Sequence, residues 1–237
     1  MNIIIIGATS GIGKALFLNY AKQGHHIGII GRRTHLLEEL RQQYPLNTMT
    51  ATADITIFKE TSLAINNIQK AFGSIDLAIV CAGTGELNPL LNFDIERPTI
   101  DTNVLGWTFV VDTLYGLFHQ QGNGYLVAIT SVGGLRGEPM SPAYSATKAY
   151  QINYMEALRK KSFKDGSRIT VTDIRPGLVE TAMAKGDGLF WVMPANKVAR
   201  QISVAISKKK DKAYVTKRWH ILAFVNKSLP FSLYKRM

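Results

Sequence analysis

The sequence predicts an α/β fold built on one doubly wound parallel sheet with helices on both faces. Three observations predict it. Short apolar runs alternate with helix-like stretches from residue 2 to about residue 174. The runs are apolar at consecutive positions, as in Ile3-Ile4-Ile5-Ile6, and strands of that kind are buried on both faces. No repeat, low-complexity tract or Pro/Gly/Ser linker divides the 237 residues, so a single domain is expected.

The elements follow in order. Residues 2–6 form the first strand, ending at Gly7, and 11–23 a helix with Ile12, Leu16 and Tyr20 at four-residue spacing. Residues 26–30 are a second strand, 34–43 a polar amphipathic helix, 48–53 a short third strand and 56–71 a helix. Residues 75–80 and 125–130 read as the fourth and fifth strands, with a long helix at about 98–119 between them. A second long helix over 141–161, with Ser141 as its N-cap and Pro142 as its first residue, leads to a sixth strand at 168–174. Beyond it, 195–207 reads as helix and 213–216 as a last strand. Residues 1–216 are expected to form the domain, with 217–237 as a basic, apolar extension.

Composition sets bounds on function. Hydrophobic residues make up 46% and charged residues 19%, which suits a chain with a real core. Cys81 is the one cysteine, so no intrachain disulfide forms and a reducing, cytoplasmic setting is expected. No secretory signal is visible, and no run of about 18 apolar residues suggests a transmembrane helix. The five histidines show no metal spacing, and no metal is expected. The net charge of +11 is concentrated at one end: residues 1–199 hold 18 Lys/Arg against 16 Asp/Glu, whereas 200–237 hold 10 against Asp211 alone. A nearly neutral body argues against nucleic acid as a partner.

The chemistry starts at Gly7-Ala8-Thr9-Ser10-Gly11-Ile12-Gly13, between the first strand and the first helix. Glycines let a pyrophosphate approach the main chain, and the helix N-terminus offers free N–H groups and a favourable dipole. At the end of the second strand, where NAD-binding folds place an acid for the ribose hydroxyls, stands Gly31, followed by Arg32 and Arg33. Guanidinium groups suit a 2′-phosphate, and Ser10 adds a hydroxyl near it, so NADP(H) is the expected cofactor.

Tyr144 and Lys148 lie four apart near the start of the long second helix and so share a face. The lysine and the helix N-terminus would both favour the phenolate, making Tyr144 an acid/base for a substrate oxygen. Ser131 ends the fifth strand and is placed to hold that oxygen, and Asn103 to order a water beside the lysine. The Gly-x-x-x-Gly-x-Gly turn and the set Asn103, Ser131, Tyr144 and Lys148 resemble the short-chain dehydrogenase/reductase family, over residues 1 to about 181. Ile6 stands where that family usually has Thr, and Cys81-Ala82-Gly83 where it has Asn-Ala-Gly.

The resemblance implies a Rossmann-like sheet and an NADP(H)-dependent oxidoreductase that moves a hydride between the nicotinamide and a carbonyl or alcohol carbon. It implies an adenine contact for Asp54, cofactor contacts for Ala82 and Gly83, and a ribose contact for Lys148. Within Pro176-Gly177-Leu178-Val179-Glu180-Thr181, Thr181 would bond the carboxamide and Val179 lie near the ring. It implies a homodimer or homotetramer pairing through the two long helices, and a substrate lid at about 182–200. Met183, Leu189, Phe190, Trp191, Val192 and Met193 make the lid apolar, which fits a lipophilic substrate or a lid packed on its own body. A non-catalytic NADP-binding sensor or partner protein is the alternative, against which Tyr144 and Lys148 argue. For residues 217–237 two readings stand: peripheral contact with a membrane surface, or packing against the domain or another subunit.

Overall fold

Four consecutive isoleucines in β1 (Asn2–Ile6) divide between two cores: Ile3 and Ile5 face one side of the sheet, Ile4 and Ile6 the other. The computed structural model describes residues 1–181, 183–184 and 190–236. Among these, seven parallel strands lie in the order β3-β2-β1-β4-β5-β6-β7. They are β1, β2 (His26–Gly31), β3 (Thr48–Thr52), β4 (Leu77–Val80), β5 (Asn123–Ile129), β6 (Arg168–Pro176) and β7 (Lys212–Val215). The expected α/β sheet is present, with strand bounds within two residues of the sequence reading.

Helices α1 (Gly11–Ala21), α2 (Thr34–Gln43) and α7 (Ala195–Ser207) cover one face, packing Leu16, Phe17, Leu37, Val198 and Ile202 on it. Helices α3 (Phe58–Phe72), α5 (Trp107–Gln121) and α6 (Pro142–Lys164) cover the other through Ile65, Trp107, Leu114, Phe118 and Met155. Asn2 fastens the start of β1: its amide donates to Asp76 Oδ2 at 2.7 Å, and its side-chain nitrogen donates to the carbonyls of Phe72 and Ser74 at 3.1 and 3.0 Å.

Two local readings change, and the extension takes on defined structure. The helix expected from residue 98 starts earlier, as α4 (Phe93–Ile100) with Asn92 capping its first turn, and passes through a π-helical stretch at Asp101–Gly106 into α5. Pro98 sits inside it, and a widened turn of this kind accommodates an interrupted hydrogen-bond ladder. Ser141 takes the N-cap position of α6, but its side chain makes no capping bond. The extension forms α8 (Lys217–Ser228) and α9 (Phe231–Tyr234), with Pro230 separating the two. No helix among the described residues is long and apolar enough to cross a membrane.

Because β1 and β4 are adjacent, the chain leaves β1 to one side and β4 to the other, and the turns beyond Ile6 and Val80 open a crevice at the carboxyl edge of the sheet.

Candidate active site

The crevice begins with the glycine turn. Gly7 has φ of +86°, and a Cβ there would stand 2.6 Å from the amide nitrogen of Ala82; a Cβ on Gly13 would stand 2.1 Å from the Gly7 carbonyl oxygen. Both positions therefore require glycine. No side chain caps α1, so the amides of its first turn face the crevice with the positive end of the helix dipole behind them.

Ser10 has another partner: its Oγ accepts from Arg33 Nη2 at 2.9 Å, while Thr9 Oγ1 accepts from Arg33 Nε and Nη2 at 3.1 and 2.6 Å. Arg33 thus braces the turn. Arg32 is exposed and pairs with Asp54 at 3.4 Å. The other Asp54 oxygen accepts from the Thr56 amide and hydroxyl at 2.9 and 2.8 Å. Burial pushes the Asp54 carboxyl up, but the Thr56 bonds and Arg32 outweigh it and hold it below the usual value.

The reactive groups lie across the crevice. Ser131 falls two residues past the end of β5, where its Oγ accepts from the Gly133 amide at 3.0 Å and starts a short 3₁₀ turn (Val132–Leu135). The Tyr144 phenol lies beside the Ser131 hydroxyl. Burial pushes the Tyr144 phenol up, and the Ser131 hydroxyl, which lowers its pKa, only partly offsets this. The expected phenolate is therefore not favoured: Lys148 Nζ stands 5.8 Å from the ring centroid and is otherwise engaged.

Lys148 Nζ donates to the Ile129 carbonyl at 3.2 Å and to Gln151 Oε1 at 2.9 Å. Burial lowers its pKa to about 8, against the opposing influence of Asp173 and Cys81. Asp173 is itself held by Arg175 Nε at 2.6 Å and by the Thr130 hydroxyl at 2.6 Å.

Asn103 also anchors the main chain across from the helix. Its side chain bonds the main chain of Thr84 through both Oδ1 and Nδ2, at 2.9 and 2.7 Å, and so pins the turn after β4. Its carbonyl oxygen accepts from Gln151 Nε2 at 2.9 Å.

Ala82, Gly83, Pro176, Gly177, Val179 and Thr181 all line the same cleft, of about 860 Å³. Ala182 and residues 185–189, including Leu189 of the expected lid, lie outside the described residues. The extension supplies a wall. Trp219 packs so closely on Gly177 that a Cβ there would meet its ring at 2.0 Å, and it stacks on Phe190 at 5.5 Å between centroids. Arg136 donates to the carbonyls of Leu229 and Lys227 and lies over the Tyr234 ring, whose hydroxyl donates to the Gly137 carbonyl at 2.8 Å. On the outer side Ile221, Phe224, Phe231 and Leu233 remain exposed.

Sequence reasoning missed Gln151 and this wall. A signal for Gln151 existed: residues 148, 151, 155 and 158 share one helical stripe, and Gln151 is an uncharged polar residue among Met155 and Leu158 in it. Arg136 and Tyr234 are 98 positions apart and carried no such signal.

The short chain dehydrogenase family profile matches residues 1–188. An uncharacterized oxidoreductase of Mycobacterium tuberculosis is 31% identical over 222 residues, covering 90% of this chain and 87% of that protein. Among solved structures, the closed form of a serine dehydrogenase complexed with NADP+ has a TM-score of 0.83 at 22% identity, covering 91% of this chain and 94% of that one. A 3-ketoacyl-(acyl-carrier-protein) reductase from Brucella melitensis complexed with NADH has a TM-score of 0.80 at 19% identity, covering 90% and 96%. The chain belongs to the short-chain dehydrogenase family and is an oxidoreductase of that family.

Lys148 makes stability depend on pH. Its folded-state pKa of about 8 lies below the ordinary 10.5, so between these values the unfolded chain binds more protons. The folded state is penalised below about pH 8, and the penalty is relieved as pH rises toward 10.5. Urea unfolding of the wild type and of Lys148→Met is expected to show the variant's relative stability greatest near pH 7 and declining by pH 10. A difference independent of pH would show that the buried ammonium carries no penalty.

Proposed function

We propose that the cleft binds NADP(H) and that the protein moves a hydride between its nicotinamide and the carbonyl or alcohol carbon of a lipophilic small molecule. The observation that carries this reading is the Tyr144–Ser131 pair, with Lys148 one turn on, across one cleft from an uncapped glycine turn braced by Arg33. The residues fit a phosphorylated dinucleotide. The turn from Gly7 to Gly13 offers main-chain donors to a pyrophosphate, and Arg33, Arg32, Ser10 and Thr9 gather donors for a 2′-phosphate where an acid is missing. Asp54, Ala82 and Gly83 would flank the adenosine and ribose, and Pro176, Gly177, Val179 and Thr181 the nicotinamide.

When bound, the dinucleotide would supply or accept the hydride. Tyr144, protonated and buried, donates a proton to the substrate oxygen in the reducing direction and regains it in the other. Ser131 holds the same oxygen. Asn103 keeps the turn after β4 closed against the site. Leu87, Met140, Met183, Phe190 and Trp219 make the outer cleft apolar, which favours a lipophilic substrate.

NADPH is expected to bind at least about tenfold more tightly than NADH by calorimetry, with the margin narrowed by Arg33→Ala and by Arg32→Asp. Equal or tighter NADH binding would overturn the cofactor assignment. Tyr144→Phe is expected to leave the NADPH dissociation constant near wild type and to lower turnover by on the order of 10²–10⁴ in a screen of carbonyl compounds followed by NADPH absorbance. NADPH binding without turnover of any compound by the wild type would favour a sensor.

The long helices α5 and α6 are the proposed pairing surface of a homo-oligomer. The outer side of α8 and α9, where Ile221, Phe224 and Phe231 stand among Arg218, Lys227, Lys235 and Arg236, is the proposed contact with an anionic membrane surface. The full chain is expected to sediment with anionic liposomes at low salt and to be released at high salt, whereas a chain ending at Thr216 stays in the supernatant. A full chain left in the supernatant at low salt would remove the membrane contact; loss of oligomer mass on truncation would make the extension a subunit interface.

A further inference from the structure

Gln151 is fully buried on α6, three residues past Lys148, and both ends of its amide are engaged. Oε1 accepts from Lys148 Nζ at 2.9 Å, and Nε2 donates to the Asn103 carbonyl oxygen in the π-helical stretch at 2.9 Å. The two bonds fix each other. An amide flipped about its last torsion would set its NH2 against the ammonium and its oxygen against a carbonyl, so only one orientation satisfies both partners.

We propose that Gln151 is a positioning residue for Lys148: its amide oxygen aims the ammonium at the cleft and keeps it charged. The proposal rests on the reading of Lys148 as part of the reactive centre. An ammonium has three N–H donors in tetrahedral arrangement. Gln151 and the Ile129 carbonyl take two of them inside the protein, and Lys148 lines the cleft, so the third is left for whatever binds there.

Among the charged and titratable groups around Nζ, Asp173 favours the charge without offsetting burial. Asp173 on β6 is already paired with Arg175 and bonded by Thr130. Cys81, just past β4, is a thiol that burial pushes up to about 12 and so carries no charge near neutrality. Tyr144 on the same helix is held protonated by burial. The direct hydrogen bonds to the ammonium come from two neutral oxygens, one from the main chain and one from Gln151. The main-chain oxygen is fixed by the sheet; the other is a matter of residue choice.

The test uses Gln151→Leu and Gln151→Glu in the full chain. Leu keeps most of the volume and removes the acceptor, and Glu keeps the acceptor and adds charge. The first readout needs no substrate or cofactor: the Lys148 titration in protein labelled with ¹³C at lysine Cε, its resonance assigned by its loss in Lys148→Arg. Gln151→Leu is expected to lower the midpoint by about one to two pH units, the worth of a hydrogen bond to a charged group, and Gln151→Glu to raise it above wild type. The second readout is NADPH turnover, expected to fall about tenfold or more in Leu and to recover in Glu at a pH where Lys148 is charged. An unmoved midpoint in a folded Leu variant would overturn the proposal. If Leu fails to fold, a Glu variant whose midpoint does not rise overturns it equally. Midpoints that move as stated while NADPH binding and turnover are absent in the wild type would uphold Gln151 and overturn the cofactor reading instead.

Discussion

Both faces of the sheet are sealed by apolar helices, so every polar group the protein presents to a ligand enters from the carboxyl edge. That constraint accounts for the layout of the cleft. β1, β4, β5 and β6 each reach the edge with a buried residue, Ile6, Val80, Ile129 and Pro176, and each hands the chain to a turn that carries a functional candidate: Gly7, Ala82, Ser131 and Gly177. The four strands differ in length, from four residues in β4 to nine in β6, but reach the same edge. Residues more than a hundred positions apart meet because the strands before them end together.

Asp54, Glu86 and Glu138 bring carboxylates to the cleft lining. Asp54 is turned toward Thr56 and Arg32, and Asp173 is closed by Arg175 and Thr130. The cavity is also faced by cationic and neutral groups: the Arg33 brace and the amides of α1 at the glycine turn, and Lys148, Tyr144 and Ser131 across from it. Such a lining favours anions at one end and a neutral, polarisable oxygen at the other. The Trp219 wall adds an apolar exit, so the cavity is graded from phosphate-friendly to oil-friendly along its length.

Most of the fold was legible because burial on both faces leaves a plain mark: runs such as Ile3–Ile6 and Leu77–Val80 admit few structures other than a central parallel strand. The glycine turn and the Tyr144–Lys148 pair were legible because their chemistry is local and fixes their spacing. What was not legible depends on contacts between distant segments. Which of Arg32 and Arg33 braces the turn is decided by side-chain torsions, not order. That the Asn103 carbonyl meets Gln151 depends on the π-helical stretch, where Pro98 and the following turn alter the helix ladder. The extension reads as basic and apolar, yet its inner residues Trp219 and Ala223 belong to the cleft and its outer residues Ile221 and Phe224 to solvent, a division that needs the helix orientation.

The isoleucine run of β1 has a further consequence. Four identical side chains in succession would bury equally well if the strand slid by one position against β2 and β4, because isoleucine would still meet both cores. Oil alone leaves the alignment undetermined. The ends determine it. A slide toward the carboxyl edge would pull Asn2 away from Asp76, Phe72 and Ser74, leaving their groups unsatisfied, and would push Ile6 into the place of Gly7, where a side chain collides with the Ala82 backbone. One amide and one hydrogen atom thus index the central strand, and the second of these also locates the turn. The error that would misalign the sheet is forbidden by the same close approach that shapes the proposed phosphate-binding turn.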